Sequence, residues 1–439
     1  MNTVTRRHFL RQSTTTVAAG AMFGGLTLPG GARAAAASEK LRVGLIGCGG
    51  MGKGDLATFF RYDDVDCPVV CDVDDRMLGE AVKLVEDSRG HRPDTVKDFR
   101  RVLERKDVDA ILVATPDHWH ALPTVLGCEA GKDVYVEKPL ALTIAEGRAM
   151  VEAAKRHGRI CQMGAQRLSS ATYAEAVEFV RSGKLGKVGL TRAWAYLDWI
   201  NPIGNPPDGN PPAGVDYDLW LGPAPKRPFN PNRFHFNFRW FWNHAGGLMT
   251  DWGVHLIQVL LWAMGPDFPQ AVMSSGGKYV LEDNSETPDT QITVYEFPTY
   301  TLVWEHKVGV SLGLYNRPWG MSFTGTEGTL VINDSGWEIL REPRKDSLEP
   351  KKFPGGPDPR PAHVRNFIDC VKSRRQPVES LDVGHQVSTV AHLGNLALRT
   401  GRRIVWDPAT ETVVDDPAAN RLVTTPYRTP WKLPGLRGA

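Results

Sequence analysis

The chain has 439 residues, and its 52 lysines and arginines nearly balance its 50 aspartates and glutamates. This balance, without a basic run or stripe, argues against a nucleic-acid-binding protein. The apolar content of 41% is ordinary for a globular protein and argues against disorder, and the length is sufficient for more than one domain core.

The N-terminus has the order of an export signal. Arg6 and Arg7 precede a weakly apolar stretch over 14–28 and small residues around 32–36. Paired arginines, a modest apolar region and a small-residue cleavage site form the twin-arginine pattern. The alternatives are an arginine-bearing helix and a membrane anchor, but the apolar stretch is short for a bilayer span and rich in glycine and threonine. We therefore predict a signal peptide over 1–37, a periplasmic or otherwise exported protein, and no stable membrane insertion.

A glycine-rich segment follows the first β-branched apolar run. Gly47, Gly49 and Gly52 match the pattern G-x-G-x-x-G between a predicted strand and a predicted helix. The first glycine permits a tight turn, the second lets backbone approach a pyrophosphate, and the third lets the helix pack on the strand. Gly50 and Met51 lie at the helix start, where backbone N–H groups bind phosphates. The segment predicts nucleotide binding; the alternative is a structural turn.

Asp72 indicates which dinucleotide binds. It ends the second predicted strand, twenty residues after Gly52. A carboxylate at this position accepts hydrogen bonds from both ribose hydroxyls and repels a 2′-phosphate. The cofactor predicted is NAD rather than NADP.

Strands and helices alternate from Leu41 to about Met163. The predicted strands are 42–46, 67–72, 110–114 and 133–136, and the predicted helices are 55–60, 74–87, 98–104, 120–130 and 144–157. Alternation of this kind predicts a parallel sheet covered on both faces, with ligands at the carboxyl ends of the strands. We assign an NAD-binding Rossmann domain to 40–163.

Two later strands end in polar side chains. The third strand ends in Thr115, Pro116, Asp117, His118, Trp119 and His120, and the fourth ends in Glu137, Lys138 and Pro139. Both ends meet at the edge where the nicotinamide would lie, and the proline keeps the lysine extended toward the cleft. The alternatives are a solvated charge pair at Glu137 and Lys138 and a metal site that adds His255 to Asp117, His118 and His120. The spacing suits no established metal geometry, and we expect no metal.

The second half has a different rhythm. After a helix at 174–182 and a strand at 188–196, strands follow in series at 271–274, 289–297, 301–306, 321–324 and 329–332, with closing helices at 362–372 and 383–398. Strands in series predict an antiparallel sheet, hence a C-terminal α+β domain for substrate and oligomer contacts over 164–402. The remaining residues, 403–439, are predicted to form an extended tail that reaches a neighbouring subunit.

A third polar segment lies within this half. Thr250 is predicted to cap a helix whose first turn contains Asp251, and His255 follows four residues later on the same helix face. A carboxylate beside an imidazole is a general-base pairing. The alternative is a core histidine beside the apolar residues that follow it.

Five tryptophans surround a Pro/Gly-rich loop, namely Trp194, Trp199, Trp220, Trp240 and Trp242. Most are predicted to belong to the core of the second domain. One or two are predicted to stack on the apolar face of a sugar, because flat amphipathic rings suit carbohydrate C–H groups.

The glycine loop with Asp72, the T-P-x-x-x-H segment, E-K-P and D-x-G-x-H occur in an order that resembles the Gfo/Idh/MocA family, which includes glucose–fructose oxidoreductase and inositol dehydrogenase. The resemblance spans about 40–402. It implies a Rossmann domain followed by an α/β domain whose large open, mostly antiparallel sheet takes part in oligomer contacts. A homodimer or homotetramer is the implied assembly.

The resemblance also implies roles for individual residues. Lys138 matches the lysine that hydrogen-bonds the reacting hydroxyl, and Asp251 and His255 match the acid–base pair. The implied cofactor contacts are Gly47, Gly49, Gly50, Met51, Gly52, Asp72, Thr115, Pro116, His118, Trp119, His120, Glu137, Lys138 and Gln166. Gln258 departs from the pattern, because many members have an aspartate three residues after the histidine.

The function implied is an NAD(P)-dependent oxidoreductase that acts on a CH–OH group of a sugar, sugar derivative or polyol. His255 would remove the hydroxyl proton, Asp251 would stabilise the imidazolium, and Lys138 would offset charge on oxygen. Free NAD is scarce outside the cytoplasm, so an exported enzyme would hold it tightly. A redox-neutral glycosidase, lyase or epimerase that oxidises its sugar transiently is the first alternative, although related glycosidases replace the D-x-G-x-H pattern. A non-catalytic nucleotide-bound protein is the second.

Overall fold

A computed structural model describes residues 40–436, so the predicted signal peptide over 1–37 lies outside the described residues. The first half contains six parallel strands, β1 (Leu41–Ile46), β2 (Val65–Cys71), β3 (Asp94–Val96), β4 (Ala110–Val113), β5 (Asp133–Val136) and β6 (Cys161–Met163). Its helices are α1 (Gly50–Phe59), α2 (Asp75–Arg89), α3 (Arg100–Leu103), α4 (Ala121–Glu129) and α5 (Ile144–His157).

The strand order β3-β2-β1-β4-β5-β6 places β1 and β4 side by side at the centre of this sheet. The chain leaves β1 in one direction to form β2 and β3, and then returns to form β4, β5 and β6 on the other side. Their carboxyl ends form a crevice at this switch point, which is where open α/β sheets bind ligands. The predicted Rossmann-type sheet is confirmed.

Three local predictions for this half need correction. The short strands β3 and β6 were not predicted, because three residues contain too little apolar pattern to indicate a strand. Helix α1 begins at Gly50 rather than at residue 55, because Gly49 acts as its N-cap and the glycines form its first turn. The predicted helix at 98–104 is reduced to α3.

The second half contains ten strands within the described residues. They are β7 (Leu190–Leu197), β8 (Ala271–Gly277), β9 (Thr290–Glu296), β10 (Thr301–Val308), β11 (Trp319–Thr324), β12 (Gly328–Asn333), β13 (Gly336–Arg341), β14 (Lys351–Pro354), β15 (Ile404–Asp407) and β16 (Thr412–Val413). They form one sheet in the order β14-β13-β12-β11-β7-β10-β9-β8-β15-β16. Only β7 and β10 pair in parallel within it. The predicted large, mostly antiparallel sheet is confirmed.

The helices of this half are α6 (Ala171–Arg181), α7 (Tyr217–Leu221), α8 (Gly247–Asp251), α9 (Gly253–Met264), α10 (Arg360–Ser373), α11 (Leu381–Thr400) and α12 (Pro417–Asn420). Helices α6, α9 and α11 contribute buried side chains to the core against the large sheet. Helix α10 instead returns to the first sheet, where Phe367 packs on Phe59 and Tyr135. Within 40–436, no helix combines the length and apolar character that a bilayer crossing requires.

The predicted helix start at Thr250 is wrong. Asp251 ends α8, and α9 begins two residues later at Gly253. The Thr250 hydroxyl donates to the carbonyl of Gly247 and therefore acts inside a helical turn rather than as a cap. Gly247, with φ of 65°, allows this separate short helix to form. Asp251 and His255 thus lie on two helices with a break between them.

The C-terminal tail makes contacts within the chain, and its contact with a neighbouring subunit remains a prediction. Strands β15 and β16 extend the large sheet, and the following segment folds back on the first half. The Trp431 ring lies 4.9 Å from that of Trp119. Arg428 donates from Nε to the Gly222 carbonyl at 2.9 Å. Burial of these aromatic rings provides the physical reason for the tail's course.

Candidate active site

A cavity of about 530 Å³ lies at the carboxyl ends of the parallel strands. One wall comes from the first half of the chain and the other from residues 219–251 of the second half. The predicted site residues that line it are Gly47, Gly49, Gly50, Met51, Asp72, Thr115, Pro116, Trp119, His120, Glu137, Lys138 and Asp251. Its volume falls within the range of small-molecule and cofactor sites.

The glycine loop has the shape that a pyrophosphate requires. Gly47 has φ of 93°, which other residues rarely adopt. A Cβ at Gly52 would lie 1.9 Å from the Gly47 carbonyl oxygen, so helix and strand pack closely there. A Cβ at Gly49 or Gly50 would meet no atom within 4 Å. Open space before the first turn of α1 is therefore free for a phosphate, and the residues present fit a dinucleotide.

Asp72 stands beside this loop in a fixed orientation. Its carboxylate oxygens accept hydrogen bonds from the backbone N–H of Cys48 at 2.7 Å and of Asp74 at 2.9 Å. Burial raises the pKa of the Asp72 carboxyl above its ordinary value, although these hydrogen bonds oppose the shift. The guanidinium of Arg76 lines the same cavity and was not identified from the sequence. Arg76 therefore places a positive charge near Asp72, the residue predicted to distinguish the ribose of NAD from the 2′-phosphate of NADP.

His120 joins the two polar strand ends. Its ring nitrogens lie 2.7 Å from the Pro139 carbonyl and 2.9 Å from the Thr115 carbonyl. Burial lowers the pKa of His120 to about 4, although both carbonyl contacts oppose the shift. A neutral ring donates to one of these carbonyls only, and His120 lies between the two segments beside the cavity.

His118 was predicted to contact the cofactor, but it does not line the cavity. Its Nε2 lies 3.1 Å from the Trp220 carbonyl, and its ring lies 4.7 Å from that of His244. His118 is the middle residue of the short helix at Asp117–Trp119, and the Nε1 of Trp119 donates to the same Trp220 carbonyl at 2.9 Å. Among residues 40–436, no group of three or more histidine, cysteine, aspartate or glutamate side chains is placed to hold a metal ion.

The strongest charges in the cavity form a compact cluster at the end of β5. The Lys138 ammonium lies 2.6 Å from Asp251 Oδ1, and Arg239 Nε donates to the same oxygen at 3.2 Å. The lysine and aspartate side chains are 10% and 16% exposed. Burial alone would raise the pKa of Asp251, but the charges of Lys138 and Arg239 hold it well below its ordinary value. Asp251 is therefore ionised and already paired.

His255 is placed differently from the sequence prediction. No hydrogen bond joins it to Asp251 in the described structure, and its Nδ1 is buried without a partner. Burial, followed by the nearby Lys138 charge, holds the pKa of His255 well below its ordinary value, whereas Asp251 opposes this shift. The predicted carboxylate–imidazole pair is thus replaced by a lysine–carboxylate–arginine cluster beside a neutral histidine.

Buried carboxyls surround the cluster. Asp117 lines the cavity, and burial raises its pKa to about 8 despite the charges of Lys138 and Arg239. Glu137 lies beside Asp55 of α1, and burial raises the pKa of both carboxyls. Protonated carboxyls can donate a hydrogen bond, so this side of the cavity contains donors that the sequence did not indicate.

Some predicted residues lie elsewhere, and some important ones were not predicted. Gln166 lines a second cleft with Arg167 and Arg360 rather than the main cavity. Arg239 was missed because the segment FHFNFRW carries no recognisable spacing. Asp55 was missed because its partner Glu137 is remote in sequence.

The second wall of the cavity is fastened to the first at one end. His235 Nε2 lies 2.9 Å from Asp74 Oδ2. Val215 forms a β-bridge with Asp74, and the Asp75 N–H donates to the Gly214 carbonyl at 3.2 Å. We call residues 214–216 with His235 the clasp. It closes over the loop that follows Asp72, where the sequence predicts the adenosine ribose.

Sequence profiles of known families match most of the chain. Residues 41–165 match a profile described as an oxidoreductase family with an NAD-binding Rossmann fold, Gfo/Idh/MocA. Residues 190–280 and 347–433 match the profile of the C-terminal alpha/beta domain of the same oxidoreductase family.

Two named relatives are similar over part of their length. A glycosyl hydrolase family 109 protein of Shewanella pealeana is 30% identical over 158 residues, which is 34% of each chain. An alpha-N-acetylgalactosaminidase of Shewanella oneidensis is 28% identical over 216 residues, covering 43% of this chain and 45% of that protein. The chain thus matches less than half the length of these relatives.

Solved structures share the fold at low sequence identity. Levoglucosan dehydrogenase in complex with NADH and levoglucosan has a TM-score of 0.64 and 19% identity, covering 86% of this chain and 100% of that one. The WlbA dehydrogenase of Bordetella pertussis in complex with NADH and UDP-GlcNAcA has a TM-score of 0.61 and 19% identity, covering 84% and 99%.

Proposed function

The chain belongs to the Gfo/Idh/MocA family of oxidoreductases with an NAD-binding Rossmann fold, and we propose that it is an NAD-dependent enzyme acting on a CH–OH group of a sugar, sugar derivative or polyol. The observation that carries the proposal is the cluster of Lys138, Asp251 and Arg239 at the far end of the glycine-loop cavity from Asp72; His255 is not among the residues that line the cavity. Bound nicotinamide would supply hydride acceptance there.

Each side chain then has a role set by its charge. The Lys138 ammonium, fixed by Asp251, stabilises negative charge that develops on the substrate oxygen. His255, which interacts electrostatically with Lys138 and Asp251, is assigned the role of accepting the hydroxyl proton in its neutral form. Asp251 orients the lysine rather than the histidine, because its oxygen already accepts from Lys138 and Arg239.

A second candidate is a redox-neutral cleavage of a glycoside, which the named relatives favour. Transient oxidation of a sugar carbon acidifies the neighbouring C–H, so that a proton acceptor can start elimination of the glycosidic group. Water would add to the resulting double bond in place of the departed group, and return of the hydride would then leave no net oxidation. Asp117 is suited to protonate a leaving oxygen, because its buried carboxyl has a pKa of about 8. The two candidates share the first step and differ in whether reduction persists.

The absorbance of the bound nicotinamide in single-turnover experiments separates these candidates. The protein is loaded with NAD and mixed with hexoses, glycosides, N-acetylhexosamines and inositols in turn. Reduction that persists supports the dehydrogenase. Reduction that rises and returns to baseline, with a cleaved or dehydrated product, supports the redox-neutral cycle. If no member of the panel reduces the nicotinamide, the proposal of sugar oxidoreduction fails.

The choice of NAD over NADP is attributed to Asp72. Asp72→Asn removes the charge but keeps the shape, and Asp72→Ser removes both. We expect NAD affinity to fall about 10- to 100-fold with Ser, because hydrogen bonds to a charged acceptor are lost, and NADP discrimination to relax in both variants. Titration of both cofactors measures these effects. Tighter binding of NADP than NAD by the wild type would contradict the assignment and favour a role for Arg76.

We also propose that NAD is a resident cofactor held by the clasp. The second wall of the cavity is tied to the loop after Asp72 by the His235–Asp74 hydrogen bond and by backbone bonds of residues 214–216. Dissociation of a dinucleotide beneath these bonds requires that they break. A resident cofactor agrees with export through the twin-arginine route, which is proposed on Arg6 and Arg7, since free NAD is scarce outside the cytoplasm.

His235→Ala is expected to raise the dissociation rate of NAD about three- to tenfold, because one hydrogen bond of the clasp is lost. Stopped-flow displacement of bound NADH measures the rate. His91→Ala is the matched control, since His91 Nε2 lies 2.8 Å from Asp66 on β2, outside the cavity. Equal rates in the wild type and His235→Ala would show that the clasp does not retain the cofactor.

Self-association is proposed for the outer face of the large sheet. Met273, Ile292 and Val405 lie on adjacent strands of that face and are exposed. A contiguous exposed apolar surface is typical of a protein interface. A second copy of this chain is the proposed partner, in a dimer or tetramer, and the molar mass of the protein in solution tests it.

A further inference from the structure

Two large aromatic side chains remain exposed beside the cavity. Trp199 is 48% exposed and Phe236 is 54% exposed. Their ring centroids lie 6.4 Å apart at an angle of 64°, so the rings form an open corner. By contrast, Trp194, Trp220 and Trp240 are buried in the core. We call the pair of Trp199 and Phe236 the aromatic corner.

The aromatic corner is continuous with the charged cluster. Phe236 lines the cavity, and the Arg239 guanidinium lies 4.7 Å from the centroid of its ring. The same arginine donates to the Phe236 carbonyl at 3.0 Å and to Asp251 at 3.2 Å. One side chain therefore supports the ring and contacts the carboxylate that holds Lys138. A group bound on the corner lies next to a group bound at the lysine.

The backbone next to Phe236 is strained. His235, the residue before Phe236, has φ of 49°, a conformation that costs free energy in a residue other than glycine. Its ring is held by Asp74 and contacts the tilted ring of Phe234, with centroids 3.8 Å apart at an angle of 48°. These contacts keep the segment in place while Phe236 stays exposed.

From these observations we propose that the aromatic corner is a second sugar subsite, so that the substrate is a glycoside of at least two rings. The reacting ring lies at Lys138, and the adjoining pyranose stacks its C–H face on one ring of the aromatic corner and packs its edge against the other. Flat aromatic rings in fixed orientation bind such faces without polar contacts. This inference rests on the proposed function, because it names the substrate class of the same site.

Calorimetric titration of the NAD-loaded protein tests the subsite without requiring turnover. The probes are cellobiose, maltose, lactose and N,N′-diacetylchitobiose, each compared with its constituent monosaccharides. At least one disaccharide is expected to bind about tenfold more tightly than its monosaccharides. Trp199→Ala and Phe236→Ala should each reduce that gain about threefold or more, because each removes a stacking ring. Tyr279→Ala is the control, since Tyr279 is 72% exposed and does not line the cavity.

The outcomes distinguish this inference from the proposed function. Equal affinity for every disaccharide and its monosaccharides overturns the subsite. A gain in disaccharide affinity that survives when Trp199→Ala and Phe236→Ala are combined also overturns it. If both variants reduce the nicotinamide with disaccharides at the wild-type rate, the subsite is also overturned, whereas the proposed oxidoreductase function is not. A binding gain that the variants abolish supports the subsite even where no probe reduces the nicotinamide. Unchanged NAD affinity and thermal unfolding in each variant exclude a merely structural effect.

Discussion

Lys138→Ala is expected to reduce the rate of nicotinamide reduction by about 10²- to 10⁴-fold, while NAD still binds. The ammonium is the positive group beside the reacting oxygen, and among residues 40–436 no other lysine lines the cavity at that end. The NAD contacts assigned to the glycine loop and Asp72 lie on other strands and remain. Arg239 still pairs with Asp251 in the variant, so the carboxylate is not left as an isolated buried charge. Single-turnover absorbance measures the rate, and cofactor titration measures binding.

Two further variants test whether the effect of Lys138→Ala depends on that lysine in particular. Lys138→Arg keeps a positive charge but changes its geometry, and we expect it to recover part of the lost rate. Lys278→Ala removes another partly buried lysine paired to a carboxylate, Asp283 at 2.8 Å, and should leave the rate unchanged. A Lys138→Ala protein that binds NAD and reacts at the wild-type rate would exclude the lysine from the chemistry.

His255→Gln is expected to slow the reaction by a similar factor of about 10²–10⁴, because a proton acceptor is removed. The effect should appear in the pH profile as well as in the rate. Burial and the Lys138 charge hold the pKa of His255 well below 6.5, so the neutral, accepting form is present at pH 7. It is lost only as the pH falls through that lowered pKa. The profile of kcat/KM should therefore stay flat from neutral pH to below pH 6.5.

The two variants should change the loss of activity at low pH, the acid limb of the profile, in different ways. His255→Gln should remove it, whereas Lys138→Ala should move it to higher pH, because one source of repulsion on the imidazolium is gone. His306→Gln is the matched control, since His306 is a buried histidine of β10 that contacts the Pro288 carbonyl. An acid limb that persists unchanged in His255→Gln would assign the titration to another group.

Features that depend on residues close together in the chain were predictable from the sequence alone. The glycine turn was recognisable because a phosphate site needs backbone N–H groups within a single strand–helix junction, with Gly47, Gly49 and Gly52 at fixed spacing. Asp72 was recognisable because it ends the next strand at the expected interval from these glycines. The alternation of apolar runs and helices predicted the parallel sheet, since each strand of such a sheet is buried on both faces.

Which side chains act together could be seen only in the tertiary structure. Lys138 and Asp251 are separated by 113 residues, and no spacing predicts their 2.6 Å contact. The four-residue interval between Asp251 and His255 predicted a pair, but the Asp251 carboxylate pairs with Lys138 and Arg239 instead. Local patterns fix backbone geometry, whereas a pairing of charges depends on which loops the packing of two sheets brings to the same edge. That packing is also what placed His235 over Asp74 and left Trp199 and Phe236 exposed beside the cavity.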